Sequence, residues 1–173
     1  MHAPSLSTLR LLPAFAAAAL MAACAPAPIY KTGASAVAAT PTQVATAPGN
    51  FAGSQVIWGG TVIGVSNRQD RTEIRILAYP LDKSQRPRLK QAAEGRFTAV
   101  VPGFLDPMNY PPGSAVTVAG NLDGTVVGNV GQATYTYPLV NVAGGSLHRW
   151  TPDEMAKGHP NISFGIGVGT WIR

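Results

Sequence analysis

Residues 55–79 have the sequence QVIWGGTVIGVSNRQDRTEIRILAY, and this stretch decides the fold class of the chain. From Thr72 to Ile76, polar and apolar side chains alternate with the period of a strand that has one buried face, so Ile74, Ile76 and Ala78 are expected to point inward and Glu73 and Arg75 outward. The preceding run, Gln55 to Val65, is more evenly apolar and is interrupted by glycines, as in a buried strand with a bend or bulge. Because the polar cluster at residues 66–70 favours a turn, the stretch predicts a β-hairpin.

Further short strands are expected after this hairpin, at residues 97–101, 115–121, 124–130 and 135–142. Pro138 places the last of them at an edge or an irregularity of the sheet. One short helix is predicted after Thr151, where Thr-Pro-Asp-Glu has the pattern of a capping box. Short strands at this spacing predict an all-β fold, either a sandwich or a small antiparallel barrel, with one short C-terminal helix.

The composition agrees with this class and excludes several others. A length of 173 residues favours a single folded domain, and 19 Gly and 15 Pro favour strands and turns over long helices. Only 12% of the residues are charged and the net charge is +5, which excludes a coiled coil and an acidic disordered protein. A single cysteine excludes a disulfide scaffold.

The N-terminus resembles a bacterial lipoprotein signal. Arg10 supplies a positive charge, and the uncharged run Leu11–Ala23 is shorter than the roughly 20 residues that a membrane-spanning helix needs. Two alanines then lead into Cys24, an arrangement that resembles the lipobox, in which the cysteine is lipidated and begins the mature chain. We predict residues 1–23 as the signal peptide and Cys24 as the attachment site of acyl chains such as palmitate. An ordinary signal peptide with an incidental cysteine is the alternative.

The rest of the chain is expected to divide into three parts. Residues 24–54 consist mainly of Ala, Pro, Thr, Ser and Gly and predict a flexible tether that is dispensable for folding. Residues 55–150 form the β-domain, and residues 151–173 form the short helix and a tail in which Gly alternates with apolar residues.

A series of short motifs occurs in one order along residues 55–150. They are Trp58-Gly59-Gly60, Tyr79-Pro80-Leu81-Asp82, Arg86-Pro87, Gly95-Arg96-Phe97, Phe104-Leu105-Asp106-Pro107, Val116-Thr117-Val118-Ala119-Gly120 and Tyr135-Thr136-Tyr137-Pro138-Leu139-Val140. Together they resemble the Slp family of starvation-inducible outer-membrane lipoproteins.

The resemblance implies a small barrel of the oligonucleotide/oligosaccharide-binding type. It also implies a lipid anchor in the outer membrane of a Gram-negative cell, a periplasm-facing domain, and a role in starvation or envelope stress. Ala25 stands where bacterial lipoproteins that are retained in the inner membrane tend to have Asp, which agrees with the outer membrane. The family brings no enzymatic activity with it.

Patterns for catalysis and metal binding are not found in the sequence. The Gly-x-Ser-x-Gly, P-loop and His-Glu-x-x-His patterns are absent. Asp106 precedes a proline and is expected to form a turn. Four residues are conceivable metal ligands, but we expect them to be surface histidines and helix-capping acids: His148, Asp153, Glu154 and His159. We therefore expect no enzyme, no metal and no cofactor apart from the covalent lipid on Cys24.

A basic segment is the candidate surface for partners. Its cations are Lys83, Arg86, Arg88, Lys90 and Arg96, opposed only by Asp82 and Glu94. They predict attraction to an envelope protein, to anionic lipid or to peptidoglycan, while a solvated loop that maintains solubility is the alternative. Export from the cytoplasm argues against nucleic acid.

Aromatic residues offer a second candidate surface. Trp58, Tyr135 and Tyr137 are candidates for stacking on sugar rings, which would make the protein a periplasmic glycan-binding module. At strand spacing, packing in the core is the competing explanation for most of these residues.

Overall fold

The computed structural model describes residues 27–156, so the predictions for the signal peptide, Cys24, His159 and the C-terminal tail lie outside the described residues. Within this range the strands are β1 (Gln55–Asn67), β2 (Arg71–Tyr79), β3 (Gly95–Pro102), β4 (Ala115–Val130) and β5 (Ala133–Arg149). The helices are α1 (Pro41–Thr46) and α2 (Pro152–Ala156), and short 3₁₀ turns span Pro48–Phe51 and Pro107–Asn109.

The strands form a closed barrel in the order β1-β2-β3-β5-β4. β1 closes the barrel because it pairs antiparallel with both β2 and β4. β3 and β5 run parallel, with Thr98 opposite Leu139. This is a five-stranded barrel of the oligonucleotide/oligosaccharide-binding type, as the family resemblance implied. The predicted hairpin at residues 55–79 is also confirmed.

The barrel has fewer strands than the sequence predicted. Residues 115–121 and 124–130 were expected to form two strands, but both belong to β4. The register of β4 against β5 shifts between Leu122 and Thr125, and Thr125 lies opposite Pro138. Because β5 pairs with β4 on both sides of this shift, the glycine-containing segment between the two predicted strands forms an irregularity within one continuous strand. Pro138 lies at the irregularity, as expected.

The alternation in β2 builds one wall of the core. Ile74, Ile76 and Ala78 are buried, as predicted, and they pack with Phe97 and Trp58 inside the barrel. The Trp58 and Phe97 rings meet edge to face at 5.1 Å. Such aromatic pairs stabilise a core by about 0.5–1.5 kcal/mol beyond the area they bury.

The N-terminal segment is not a free tether. Thr40 and Gln43 form a capping box that starts α1, and Val44 of this helix is 1% exposed within the barrel core. The indole Nε1 of Trp58 donates a hydrogen bond of 2.8 Å to the carbonyl of Ala39. The predicted flexible tether is therefore wrong for this part of the chain, because a single turn of helix with one well-placed valine is enough to pack on the barrel.

The predicted C-terminal helix is confirmed as α2. Thr151 and Glu154 exchange hydrogen bonds in a capping box, with Glu154 Oε2 accepting from the Thr151 N–H at 2.8 Å. Between residues 27 and 156, no helix combines the length and apolarity needed to cross a membrane.

Candidate functional site

A groove lies on the outer face of β2 and β3 and is bordered by the part of the β4–β5 hairpin around residues 123–141. Strand register builds it: Glu73 of β2 lies opposite Val100 of β3, which in turn lies opposite Asn141 of β5. The groove has a volume of about 610 Å³. We call it the strand groove, and its lining residues are Ser66, Arg68, Arg71, Glu73, Arg75, Thr98, Val100, Asp123, Val126, Gly128, Asn129, Tyr137, Leu139 and Asn141.

Two of the arginines in the strand groove form ion pairs with the same carboxylate, that of Glu73. Arg68 Nη2 lies 3.1 Å from Glu73 Oε2, and Arg71 Nη2 lies 3.2 Å from Glu73 Oε1. The hydrogen bond from Arg68 is the main cause that lowers the pKa of Glu73, against a smaller opposing effect of burial. Glu73 is therefore ionised at neutral pH and balances much of the charge at this end of the groove.

Arg75 differs from these two arginines. Its side chain is exposed in the strand groove, and no hydrogen bond or ion pair joins it to another residue in the described range. A Cβ at Gly64, the neighbouring residue of β1, would lie 3.4 Å from Arg75 Nη2, so the glycine leaves the guanidinium room. A planar guanidinium with free N–H groups suits bidentate binding of a carboxylate or a phosphate.

Polar amides complete the groove. Asn141 Nδ2 donates a hydrogen bond of 2.8 Å to Asp123 Oδ2, which orients both side chains along the β4–β5 side. Asn129 lines the same side. Together with Arg75, these groups offer donors and acceptors for a ligand that carries both hydroxyl groups and a negative charge.

The strand groove is not evident from the sequence alone. Its available signal was the cluster of Arg68, Arg71 and Arg75 within the hairpin that also decided the fold. The outward direction of Arg75 followed from the alternation in β2, but the bordering hairpin comes from β4 and β5, which are distant in sequence.

The basic segment separates into residues with different surroundings. Lys83, Arg88 and Lys90 are exposed on the loop between β2 and β3, residues 80–94, whereas Arg96 is half-buried on β3. Among the predicted partner-binding cations, Arg86 is the exception, because its side chain is only 13% exposed.

Arg86 connects parts of the fold instead of facing a partner. Its Nε donates to Asp82 Oδ2 at 3.0 Å, and its Nη1 donates to the carbonyl of Glu154 in α2 at 2.6 Å. Burial would raise the pKa of Asp82, but hydrogen bonds from Ser84 and Arg86 outweigh it and lower that pKa. Assigning Arg86 to a partner surface is thus corrected: the guanidinium fixes the loop against the C-terminal helix.

The aromatic candidates do not form a stacking surface. Trp58 is 7% exposed and Tyr137 is 3% exposed, so neither presents a ring face to solvent. Tyr135 packs edge-on against Tyr137 at 4.8 Å, and its hydroxyl accepts a hydrogen bond from the backbone N–H of Arg96. The expectation of core packing is the correct one for Trp58 and Tyr137.

Three of the candidates for metal binding or catalysis, His148, Glu154 and Asp106, make contacts within the fold. His148 contacts the Trp150 ring edge-on at 4.4 Å, and its Nε2 lies 3.8 Å from Glu154 Oε1. No group of three or more His, Cys, Asp or Glu side chains suited to a metal ion occurs among residues 27–156. Asp106 Oδ1 accepts a hydrogen bond from the Met108 N–H, which confirms its predicted role in a turn.

Comparison with known proteins gives several relatives. The chain is 38% identical over 108 residues to an uncharacterized lipoprotein, YeaY, of Escherichia coli (strain K12), an alignment that covers 62% of this chain and 54% of the relative. It is 33% identical over 122 residues to the outer membrane protein Slp of the same organism, covering 70% of this chain and 63% of the relative. The chain thus spans between half and two thirds of the length of these relatives.

No solved structure matches the chain. The Outer membrane lipoprotein Slp family matches residues 21–170, a range that contains the whole barrel, the strand groove and both described helices. The chain belongs to the Outer membrane lipoprotein Slp family.

Proposed function

We propose that this protein is a non-catalytic lipoprotein, anchored in the outer membrane through Cys24, that binds peptidoglycan in the strand groove. Membership in the family supports the membrane location and the lipid anchor. The periplasm-facing orientation and a role in starvation or envelope stress, both implied by the family resemblance, are parts of the same proposal.

The observation that carries the proposal is the guanidinium of Arg75 in the strand groove, which has no hydrogen-bond or ion-pair partner among residues 27–156. Barrels of this type bind oligosaccharides on the face of strands 2 and 3, between the loops that follow strands 1 and 4. The strand groove occupies this face, with Arg68 in the first of those loops and Asn129 near the second.

The chemistry of the groove agrees with a segment of peptidoglycan. The peptide stems of peptidoglycan carry carboxylates for Arg75, and its sugars carry hydroxyl and amide groups for Asn129 and Asn141. A volume of about 610 Å³ lies within the usual range of small-molecule sites, so one short saccharide-peptide unit is the expected occupant.

Binding of purified peptidoglycan sacculi tests this proposal. The chain from residue 24 onwards with Cys24→Ser should require no detergent, and it leaves every described residue unchanged. Arg75→Gln in this background should weaken cosedimentation with sacculi about 10-fold or more, because a hydrogen bond to a charged group typically stabilises by about 1.5–3 kcal/mol.

Arg88→Gln is the matched control, since it removes the same charge from the loop at residues 80–94 and should leave the binding of sacculi unchanged. Arg75→Lys should bind at an intermediate level because it keeps the charge but loses the bidentate geometry. Equal binding by the Arg75→Gln variant and its parent would show that the strand groove is not the peptidoglycan site.

A further inference from the structure

We propose that the end of the barrel that carries the β2–β3 loop rests on an anionic lipid surface, which it contacts through a face that we call the cationic face. Its exposed cations are Lys31, Lys83, Arg88 and Lys90. This inference rests on the proposed anchoring through Cys24 but goes beyond the proposed ligand of the strand groove. It assigns a second surface to a different class of partner.

The first step is that the chain joins the fold soon after Cys24. The backbone N–H of Tyr30 donates to Gln85 Oε1 at 2.8 Å, and Gln85 Nε2 donates to the carbonyl of Tyr30 at 2.9 Å. The amide of Gln85 thereby satisfies both polar groups of the Tyr30 backbone. This pair of hydrogen bonds attaches the N-terminal segment to the β2–β3 loop.

The Gln85 backbone is itself held firmly. Gln85 has a φ of 67°, which makes it the sole non-glycine residue with a positive φ between residues 27 and 156. Such a conformation is strained for a residue that carries a side chain and persists only where neighbours enforce it. Thr117 Oγ1 donates to the Gln85 carbonyl at 2.7 Å, and Trp150 Nε1 donates to the same Thr117 hydroxyl at 2.8 Å. The residue to which Tyr30 is attached is therefore held by the buried side chains of Thr117 and Trp150.

The second step is a limit on reach. From Cys24 to Tyr30, a fully extended chain covers at most about 22 Å. If residues 24–54 were a flexible tether, as the sequence predicts, the domain would move freely between the membrane and the peptidoglycan. Attachment at Tyr30 removes that freedom, so a lipid on Cys24 keeps the β2–β3 loop close to the membrane surface.

The third step is the chemistry of this face. Arg88 and Lys90 flank Leu89, whose side chain is 39% exposed, and Ile29 beside the attachment point is 37% exposed. Cations with exposed apolar side chains between them suit the headgroup region, where the charges meet phosphates and the apolar groups enter the acyl boundary.

Acidic residues near the cationic face do not cancel its charge. Asp82 is paired with Arg86, and Glu94 is half-buried at the end of the loop. On α2, Asp153 is exposed, while Glu154 caps the helix through Thr151. The exposed cations outnumber the exposed carboxylates, so the face attracts a negative surface.

Vesicle binding by two charge-matched variants tests the proposal. Both are made in the chain from residue 24 onwards with Cys24→Ser, so that neither the lipid nor the apolar run Leu11–Ala23 holds the protein on the vesicles. Arg88→Gln with Lys90→Gln should weaken binding to phosphatidylglycerol vesicles about 30-fold, since each cation near an anionic surface contributes about fivefold. Arg68→Gln with Arg75→Gln removes the same charge from the strand groove and should change this binding less than about twofold.

Two further comparisons decide the outcome. The parent chain should bind phosphatidylglycerol vesicles in a salt-dependent way and should not bind neutral phosphatidylcholine vesicles. Equal losses in the two double variants would show that only net charge matters and would overturn the proposal. The proposal would also be overturned if the variant with Arg88→Gln and Lys90→Gln lost binding to sacculi but kept binding to vesicles. The cationic face would then be assigned to peptidoglycan.

The failures of the two proposals are distinguishable. If the strand groove does not bind peptidoglycan, Arg75→Gln leaves sacculi binding intact while the vesicle results stand. If the cationic face does not contact lipid, vesicle binding is insensitive to Arg88 and Lys90 while Arg75→Gln still removes sacculi binding.

Discussion

Asp82 organises the β2–β3 loop at the scale of one residue. Its Oδ1 accepts hydrogen bonds from the Ser84 N–H and hydroxyl at 2.8 and 2.6 Å, and Oδ2 accepts from Arg86 Nε at 3.0 Å. These bonds close the turn and aim Arg86 at α2. The exposed cations Lys83 and Arg88 are therefore carried by a loop whose centre is fixed, which reduces the entropy lost when a partner binds.

We expect Asp82→Asn to destabilise the protein by about 2 kcal/mol at pH 7, because hydrogen bonds to a charged acceptor are stronger than those to a neutral one. The folded state lowers the pKa of Asp82, so the carboxylate stabilises the fold fully above its unfolded pKa of about 4. This contribution is lost as the pH falls through the folded pKa. Urea unfolding at pH 7 and pH 3 should show a difference between parent and variant that shrinks at the lower pH.

Asp70→Asn is the control for this experiment. The Asp70 side chain is 77% exposed and lies 3.7 Å from Arg71, a geometry that contributes little to stability. An effect of Asp70→Asn equal to that of Asp82→Asn would mean that general charge balance, and not the hydrogen bonds of the loop, explains the result.

At the scale of elements, α1 closes the barrel at the end where β3 begins. Thr42 donates through its N–H and its hydroxyl to the carbonyl of Glu94, the residue before β3. Val44 of the same helix is fully buried. The helix is too short to be stable alone, so its structure depends on this packing.

Val44→Ala tests whether α1 belongs to the folded unit. The substitution removes two buried carbon atoms and leaves a cavity. It should lower the free energy of unfolding by about 2 kcal/mol and the Tm by roughly 5–10 °C. Val127→Ala, at a position 68% exposed on the β4–β5 hairpin, should leave the Tm nearly unchanged. Thermal unfolding followed by circular dichroism measures both. Equal Tm values for Val44→Ala and its parent would favour a dispensable segment.

Elements with local signals could be predicted from sequence, and those that depend on distant packing could not. The β1–β2 hairpin and α2 each carry their own pattern, alternation in one case and the Thr151–Glu154 capping box in the other. Helix α1 has a capping box too, but its only buried apolar residue besides a proline is Val44, and one residue makes no periodicity. The strand groove needs the register of β2, β3 and β5 together, which no single segment contains.

The same limit applies to the charged residues. Arg75 and Arg86 are indistinguishable by residue type, yet one has no partner within the described part of the chain and the other is paired with Asp82. A charge count identifies the basic segment, but the partners of each guanidinium are set by the fold.

At the scale of the whole molecule, the two candidate surfaces are separated along β2. The loop at residues 80–94 follows one end of this strand, where the Arg88 N–H donates to the Pro80 carbonyl. At the other end, the Gly103 N–H donates to the Asp70 carbonyl. A strand rises about 3.3 Å per residue, so these ends lie about 30 Å apart. Because barrel strands tilt by about 35–45°, the two ends are separated by only about 23 Å along the barrel axis. This is about the full reach of 22 Å from Cys24 to Tyr30, so an upright barrel places the Asp70 end on the membrane only if residues 24–30 are fully extended.

Depth-dependent fluorescence quenching in reconstituted membranes tests this orientation with the lipidated protein. Cys24 is the only cysteine of the sequence and its thiol would be blocked by the diacylglyceryl group, so Leu89→Cys and Phe104→Cys each introduce one thiol for an environment-sensitive dye. Both side chains are exposed, at 39% and 74%. Brominated lipids should quench a dye at position 89 and leave a dye at position 104 unaffected, because quenching requires contact with the acyl region. Quenching at position 104 alone would show that the barrel stands the other way up, with residues 24–30 fully extended or Tyr30 released from Gln85, and would place the opening of the strand groove at the membrane.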